Sequence, residues 1–502
     1  MTDPASHPTS TARWSLVVHR VGRTSAEVWV GTLFPDLKMP DRARVRLLGG
    51  DRELRSRAIR RSDWRRPFRG MDRRFFHVVT FRGLASGRDY RVELERRVEA
   101  NPAIGVARHW QRLRSGKFRT LPSRLPLAGE ERFTIGLGSC FYNDRDGGRA
   151  AAAYKALHEH GDPAVRPHVT MLVGDQVYLD IGFDSLSMIP DEIRERIAGD
   201  YATHWQALGS ILSRGGTWML PDDHEYWNDY PFVDSLLPTL LALKLPPVRE
   251  AWTRAARDAV ENIQRSRTLE SFALGEDLTL CLADLRSHRS GDKLLPAADF
   301  RKLLRWARRR TCPAVLVVPQ PLIVTSSITE RNLRSFPRQH AQLLDALGAA
   351  RHDVVVLSGD LHFGRIAAVP IGTRGARLVE IISSPLSNLT GLDGIATNVA
   401  SDRPAAFPPA ATAADLGWPR RPVDYFKDGR GRGRFFVRSR PPHAGSAYPK
   451  ARTREHFVTV SFARRPAGGV ELTAEAWLVR QPSGRRRLPA RSFAEPFRTI
   501  LR

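Results

Sequence analysis

Cysteine is scarce. The 502 residues contain three, with no CxxC pair and no Cys/His cluster, which excludes a disulfide-stapled scaffold and a structural zinc module. No uninterrupted apolar run approaches the ~20 residues of a membrane helix, so no membrane span is expected. The opening residues MTDPASHPTSTA lack a basic n-region, an apolar h-region and a twin arginine. A cytoplasmic location is the expectation from that. Acidic residues are also in short supply: 53 Asp and Glu against 79 Lys and Arg leave a net charge of +26. A field of that sign attracts phosphate-bearing partners, although codon-biased arginine on a solvated surface produces the same surplus. Apolar residues, by contrast, make up 42% of the chain, enough for a sizeable core and too many for a disordered protein. The length is that of two to four ordinary domains.

Residues 1–12 read as a loose tail. From 13 to 120 the chain offers short alternating segments (WSLVVHRV, SAEVWVG, ARVRLLG, FFHVVTF, YRVELERRV, KFRT) separated by turn residues, the pattern of a small antiparallel β-sandwich. The stretch FRGLASGRDYRVEL is similar to the approach to a late strand in fibronectin type III-like domains. LPSRLPLAGEE at 121–131 is a proline-bearing linker. Beyond it, over 132–399, continuous apolar runs alternate with helical stretches, which predicts a mostly buried α/β sheet. The runs are RFTIGLG, HVTMLVG, TWML, LTLCLA, AVLVVP and DVVVLSG. RAAAAYKALHEH, DEIRERIAGDYATHWQALGSIL, PVREAWTRAARDAVENIQRS and DFRKLLRWARRR read as helices between them. Residues 400–455 form a Pro-, Gly- and Arg-rich excursion. The segments HFVTVSF and VELTAEAWLV within 456–502 return to strand character.

The informative feature is the set of residues immediately after each apolar run. Ser139-Cys140, Asp175-Gln176-Val177-Tyr178, Asp222-Asp223-His224-Glu225, Asp284-Leu285-Arg286 and Asp360-Leu361-His362 each stand just beyond one. In α/β sheets, ligand-binding groups gather beyond the strand ends, so these five ends are expected to share one cavity. Acidic residues at strand ends also serve as turn formers and helix caps. In GDQVY and SGDLH a glycine precedes the carboxylate, permitting a tight turn and a close approach of backbone to an ion. Asp360 and His362 put an oxygen and a nitrogen donor two residues apart, on one side of an extended strand end. Carboxylate-rich sites holding two ions are what in-line phosphoryl displacement uses.

GSC at 138–140, GDQVY at 174–178, DDHE at 222–225 and SGDLH at 358–362 resemble the signature blocks of PhoD-type phosphatases (alkaline phosphatase D), a branch of the calcineurin-like metallophosphoesterases. The resemblance implies an α/β metallophosphoesterase sandwich, two mixed sheets flanked by helices, preceded by a small all-β sandwich and completed by the C-terminal strands. The wider superfamily has Asp-x-His in the first block; here it becomes Ser-Cys, so Cys140 is implied as a thiolate ligand. Asp175 stands at the bridging carboxylate, Tyr178 at a phenolate ligand, and His362 completes the first site. Such a set suits a ferric ion. Asp175, Asp223 and Asp360 make an all-oxygen second site, where the resemblance implies calcium and where manganese, magnesium or zinc are the alternatives. His224 stands at the histidine that stabilises the transition state or protonates the leaving group. Asp222 and Glu225 are expected to orient it. Asp284, Arg286 and Arg289 resemble the family's Asp-x-Arg-x-x-Arg stretch, whose Arg fork suits a phosphate oxygen pair. Without these motifs Cys140 reads as a core thiol and Tyr178 as a packing residue. Cys281 reads as core, and Cys312 carries no motif.

The activity implied is hydrolysis of phosphate monoesters or diesters at a binuclear centre, with no obligate protein partner. An alternative makes a nucleic acid or other polyanion the partner, as in a nuclease-like phosphodiesterase. Its support is the basic stretches RRSDWRRPFRG, RWARRR, GRGRGRFFVRSR and GRRRLPAR, interleaved with aromatics that stack on bases.

Overall fold

The computed structural model describes residues 11–143, 146–234, 238–325, 331–387, 404–426, 455–480 and 488–502. Most of the expected tail, much of the 400–455 excursion, the basic stretch at 429–440 and residues 484–487 of the last one lie outside them.

Seven strands open the chain: β1 (Ser15–Val21), β2 (Ser25–Thr32), β3 (Arg42–Gly49), β4 (Arg52–Arg60), β5 (Phe75–Arg82), β6 (Asp89–Val98) and β7 (His109–Arg119). They form a three-stranded sheet, β1-β2-β5, and a four-stranded sheet, β4-β3-β6-β7, all antiparallel. The next region contains β8 (Phe133–Gly138), α1 (Arg149–His160), β9 (Val169–Val173), α2 (Pro190–Leu212), β10 (Gly216–Leu220), α3 (Pro238–Leu243), α4 (Pro246–Ala259), β11 (Leu269–Leu274), β12 (Leu278–Ala283), α5 (Ala297–Arg308), β13 (Ala314–Val317), α6 (Pro337–Gly348), β14 (Val354–Ser358), β15 (Arg365–Ile371) and β16 (Ala376–Ile382). The remaining elements are β17 (Ala406–Phe407), α7 (Ala410–Leu416), β18 (Arg421–Pro422), β19 (Asp424–Tyr425), β20 (His456–Arg464), β21 (Val470–Leu478) and β22 (Phe497–Leu501).

Two mixed sheets carry the site, in the orders β10-β9-β8-β20-β21-β22 and β11-β12-β13-β14-β16-β15-β19. Strands β10-β9-β8 of the first and β12-β13-β14-β16 of the second run parallel. Alternation along each strand decides the layers. Val169, Met171 and Val173 on β9 meet Leu280 and Leu282 on β12 and Val355 and Leu357 on β14 in one core between the sheets. The opposite faces are apolar as well: Leu172 and Met219 pack under α1, α2 and α4, while Cys281, Leu316 and Val356 pack under α5 and α6. The result is two sheets face to face with helices outside, as the resemblance implied. Among the described residues, no helix is long and apolar enough to cross a membrane.

Helix α2 shows the local logic. Pro190 occupies its first turn with Asp191 and Glu192, where the positive end of the helix dipole favours acid. Ile193, Ile197, Tyr201, Trp205 and Leu208 then bury one stripe. The stretch after Ala259 departs from a continuous helix. A π-turn over Val260–Gln264 ends at Arg265 in the left-handed region, φ 54°. The Arg265 guanidinium is held there by Glu27 of β2, 2.6 Å away. The N-terminal sheets thus reach the supports of the site, and Trp29 also donates to the Asn262 carbonyl.

Candidate metal centre

Four sequence blocks meet at the carboxyl ends of strands from both sheets. Cys140 follows β8, Asp175 follows β9, Asp222–Glu225 follow β10, and Asp360 with His362 follows β14. The backbone is drawn tight here: Cys140, Asp175, Asp360 and His362 all have positive φ, from 51° to 69°. Each such non-glycine conformation costs on the order of 1 kcal/mol and persists only where the surroundings dictate it. The two preceding glycines make the approach feasible. A Cβ on Gly174 would lie 2.6 Å from Asp222 Cβ, and one on Gly359 would lie 2.3 Å from Ser139 Oγ.

The donors fall into overlapping groups. Cys140, Asp175 and His362 bring ligand atoms within 4.8 Å of one another, as do Asp175, Asp222, Asp223 and Asp360, and Asp175, Asp223 and His224. Asp175 is common to all three. Cys140 Sγ lies 3.3 Å from Asp175 Oδ2, and the Tyr178 hydroxyl lies 3.4 Å from His362 Nε2. Every one of these residues is buried.

Burial of so many acids is reflected in their proton affinities. Burial, then the neighbouring Asp223, Asp222 and Glu225, hold the Asp175 carboxyl well above its usual range, with His224 pulling the other way. Burial raises Asp222 to about 6 despite Arg286. Burial opposes ionisation of Asp223 too, but Arg286 and His224 overcome it and bring that group to about 2. The Cys140 thiol is pushed far up, first by burial and then by Asp175. Burial alone would lower His224; Asp180, Asp223 and Asp175 outweigh it and raise the imidazole well above its ordinary value. A nest of buried oxygens sharing one carboxylate, beside a thiol and a phenol, is a donor set that two cations would satisfy.

Several expectations need correction. The His224 imidazole is oriented by Asp180, whose Oδ1 lies 2.6 Å from Nδ1, and not by Asp222 or Glu225. Asp180 Oδ2 also accepts from the Asn228 amide, so the carboxylate is itself held. Glu225 instead ties the loops together, accepting the backbone N–H groups of Asp175, Gln176 and Asp222 at 2.6–2.9 Å. Gln264, delivered by the π-turn, donates to the same carboxylate. Asp222 is paired with Arg286, Oδ1 to Nε 2.5 Å. Arg286 does not present a fork to a phosphate; it is fully enclosed, because two buried carboxylates require a countercharge at that point. Arg289, also buried, donates to Gln320 Oε1, and the Gln320 amide donates to Asp360 Oδ2 at 3.3 Å. Asp284 accepts the amides of Arg286 and Ser287, so the β12 end shapes the loop behind the centre and adds no donor to it.

Asp180, Gln264 and Gln320 were not singled out from sequence. Asp180, two residues beyond Tyr178, lay close enough to the GDQVY block to be considered. The glutamines carry no motif at all. As for the basic stretches, Arg61, Arg66 and Arg69 of the first one spend their charge on Asp41, Asp72 and Asp258.

No protein-family model matches the chain, and the comparison with curated proteins finds no match. Solved structures do match. One of PhoD superposes with TM-score 0.58 at 13% identity, covering 98% of this chain and 91% of that one. One of the purple acid phosphatase PPD1 from yellow lupin (Lupinus luteus) superposes with TM-score 0.51 at 10% identity, covering 96% and 73%. The chain therefore has the fold of these phosphatases over nearly its whole length.

Proposed function

We propose that the chain is a metal-dependent phosphoesterase with a binuclear centre. The observation that carries this reading is the sharing of Asp175 between a Cys140–His362 donor group and an Asp223–Asp360 donor group, on a fold common to PhoD and a purple acid phosphatase. Cys140, Tyr178, Asp175 and His362 would hold a ferric ion, which thiolate and phenolate donors suit. Asp175, Asp223 and Asp360, with Asp222 close by, would hold calcium or another oxygen-seeking divalent ion. When bound, such a pair supplies the positive charge that polarises a phosphoryl group and acidifies an attacking water.

The chain's own residues do the rest. Asp180 holds the Nδ1 proton of His224, which directs Nε2 as the proton donor to the departing ester oxygen. Glu225 and Gln264 keep the loops bearing Asp175 and Asp223 at a constant separation. Arg286 keeps Asp223 ionised, and therefore able to ligate, across the working pH range.

Elemental analysis of the purified protein tests the reading, alongside hydrolysis of an aryl phosphodiester. Two equivalents of metal per chain are expected in the wild type. Cys140→Ser should lose the iron-type equivalent selectively, and Asp175→Ala both metals and activity. A folded wild type without stoichiometric metal would overturn the proposal.

A further inference from the structure

A second cavity, of about 710 Å³, lies behind the metal centre, bounded by the π-turn after α4, by β11 and β12, and by α5. Its volume is that of a small-molecule site. The deep wall is polar and buried: the Tyr226 hydroxyl donates to Ser287 Oγ at 3.0 Å, and Asp284 has committed one oxygen to two backbone amides. The mouth carries Arg257, Arg267 and Lys302 together with the carboxylates of Glu261 and Asp299, and the two arginines have little to bind. Arg267 comes no closer than 3.8 Å to Glu270, because Arg20 already holds that carboxylate at 2.7 Å. Arg257 reaches the Tyr230 hydroxyl at the long distance of 3.5 Å. Lys302 stands across from them on α5, sharing Asp299. Between wall and mouth, Ser266 Oγ is buried without a hydrogen-bond partner. An unsatisfied buried hydroxyl is destabilising, and a ligand would relieve it.

The backbone around the cavity is also unusual. π-turns are rare and recur at functional sites. This one delivers Gln264 to Glu225 on one side and sets Val260 and Ser266 in the cavity wall on the other. Two arginines without a close carboxylate partner stand at the mouth and hydroxyls within, and a molecule rich in acceptors would engage both.

We propose that this cavity binds a small phosphate monoester of sugar or nucleotide size, the phosphate meeting Arg257, Arg267 and Lys302 at the mouth and the hydroxyl-bearing body facing Ser266 and Ser287. The inference does not rest on the phosphoesterase reading, since none of these residues ligates the metal centre. It is tested by calorimetric titration of the metal-replete protein with a hydrolysis-resistant methylenephosphonate analogue of AMP, repeated after metal removal with a chelator. An Arg267→Glu/Lys302→Glu variant, altered only at exposed side chains, is titrated in parallel, with Ser266→Val as an independent change in the wall. Binding should survive chelation and weaken by about tenfold or more in both variants, equivalent to about 1.4 kcal/mol, with metal content unchanged. Binding that disappears with the metal, or is equal in wild type and variants, would overturn the proposal, as would no binding at all.

Discussion

Arg286 offers a demanding test of how the centre is held together. Its side chain is completely enclosed, with Nε 2.5 Å from Asp222, Nη1 3.1 Å from the Tyr230 carbonyl and Nη2 3.9 Å from Asp223. Arg286→Met preserves most of the volume and removes the charge. Two buried carboxylates then lose their nearest cation, and breaking a buried pair from one side costs about 3–5 kcal/mol. The penalty should depend on pH. Burial already raises Asp222 to about 6, above its unfolded value, so this group stabilises the fold least once pH has risen through that window. Without Arg286 its folded pKa rises further, and the window of falling stability extends upward at about 1.4 kcal/mol per pH unit. The assay is urea unfolding of chelator-treated protein at pH 6, 7 and 8. Arg286→Met should be destabilised at every pH and most at pH 8, and Asp222→Asn in the same chain should restore much of the loss. A variant within about 1 kcal/mol of wild type at pH 8, well short of the buried-pair penalty, would refute the countercharge argument. So would a double variant no more stable than the single one.

Other consequences can be checked directly. Asp180→Asn should lower kcat for a poor leaving group by about 10–100-fold, as loss of a partner that orients a functional imidazole does, while an activated nitrophenyl ester is much less affected; an equal loss for both would remove Asp180 from a role through His224. Stability should also decline in acid. His340 and His19 are buried and held neutral, mainly by burial, with pKa values lowered to about 4 and about 3. The unfolded chain takes up these protons first, so each stabilises the fold fully above its unfolded pKa and withdraws about 1.4 kcal/mol per pH unit as pH falls through the window below 6.5. His340→Gln should flatten that slope in unfolding curves between pH 6.5 and 4.5, and an unchanged slope would contradict the assignment.

The strands that build the centre were legible because buried parallel strands announce themselves as unbroken apolar runs. β8, β9, β12, β13 and β14 each lie within a run read from the sequence, β10 exceeds its run by Gly216 alone, and the ends of β8, β9, β10 and β14 carry the donors. Strand β4 was not legible. Its leading residues RELRSRA are exposed and only Ile59 is buried, so no alternation marks it. Strands β15 and β16 and helix α6 likewise went unread. The long helix expected after Pro247 was correct in its first part and failed at the π-turn. Arg265, which caps that turn, is held by Glu27, more than two hundred residues earlier, a partner that no local pattern contains.

The same division runs through the centre itself. Residue type and position after a strand were enough to nominate Asp175, Asp223, His224, Asp360 and His362, because ligand chemistry is a property of the side chain and strand ends are a property of the local pattern; Cys140 and Tyr178 needed the family resemblance as well. The partner of each polar group is another matter. That Asp180 rather than Glu225 faces His224, that Arg286 is sealed behind Asp222 rather than open to a phosphate, and that Gln264 and Gln320 brace the carboxylates all depend on which loops the two sheets bring together. Hydrogen bonds and ion pairs act over about 3 Å, and chain positions scores or hundreds of residues apart come within that distance only when the core between the sheets has packed.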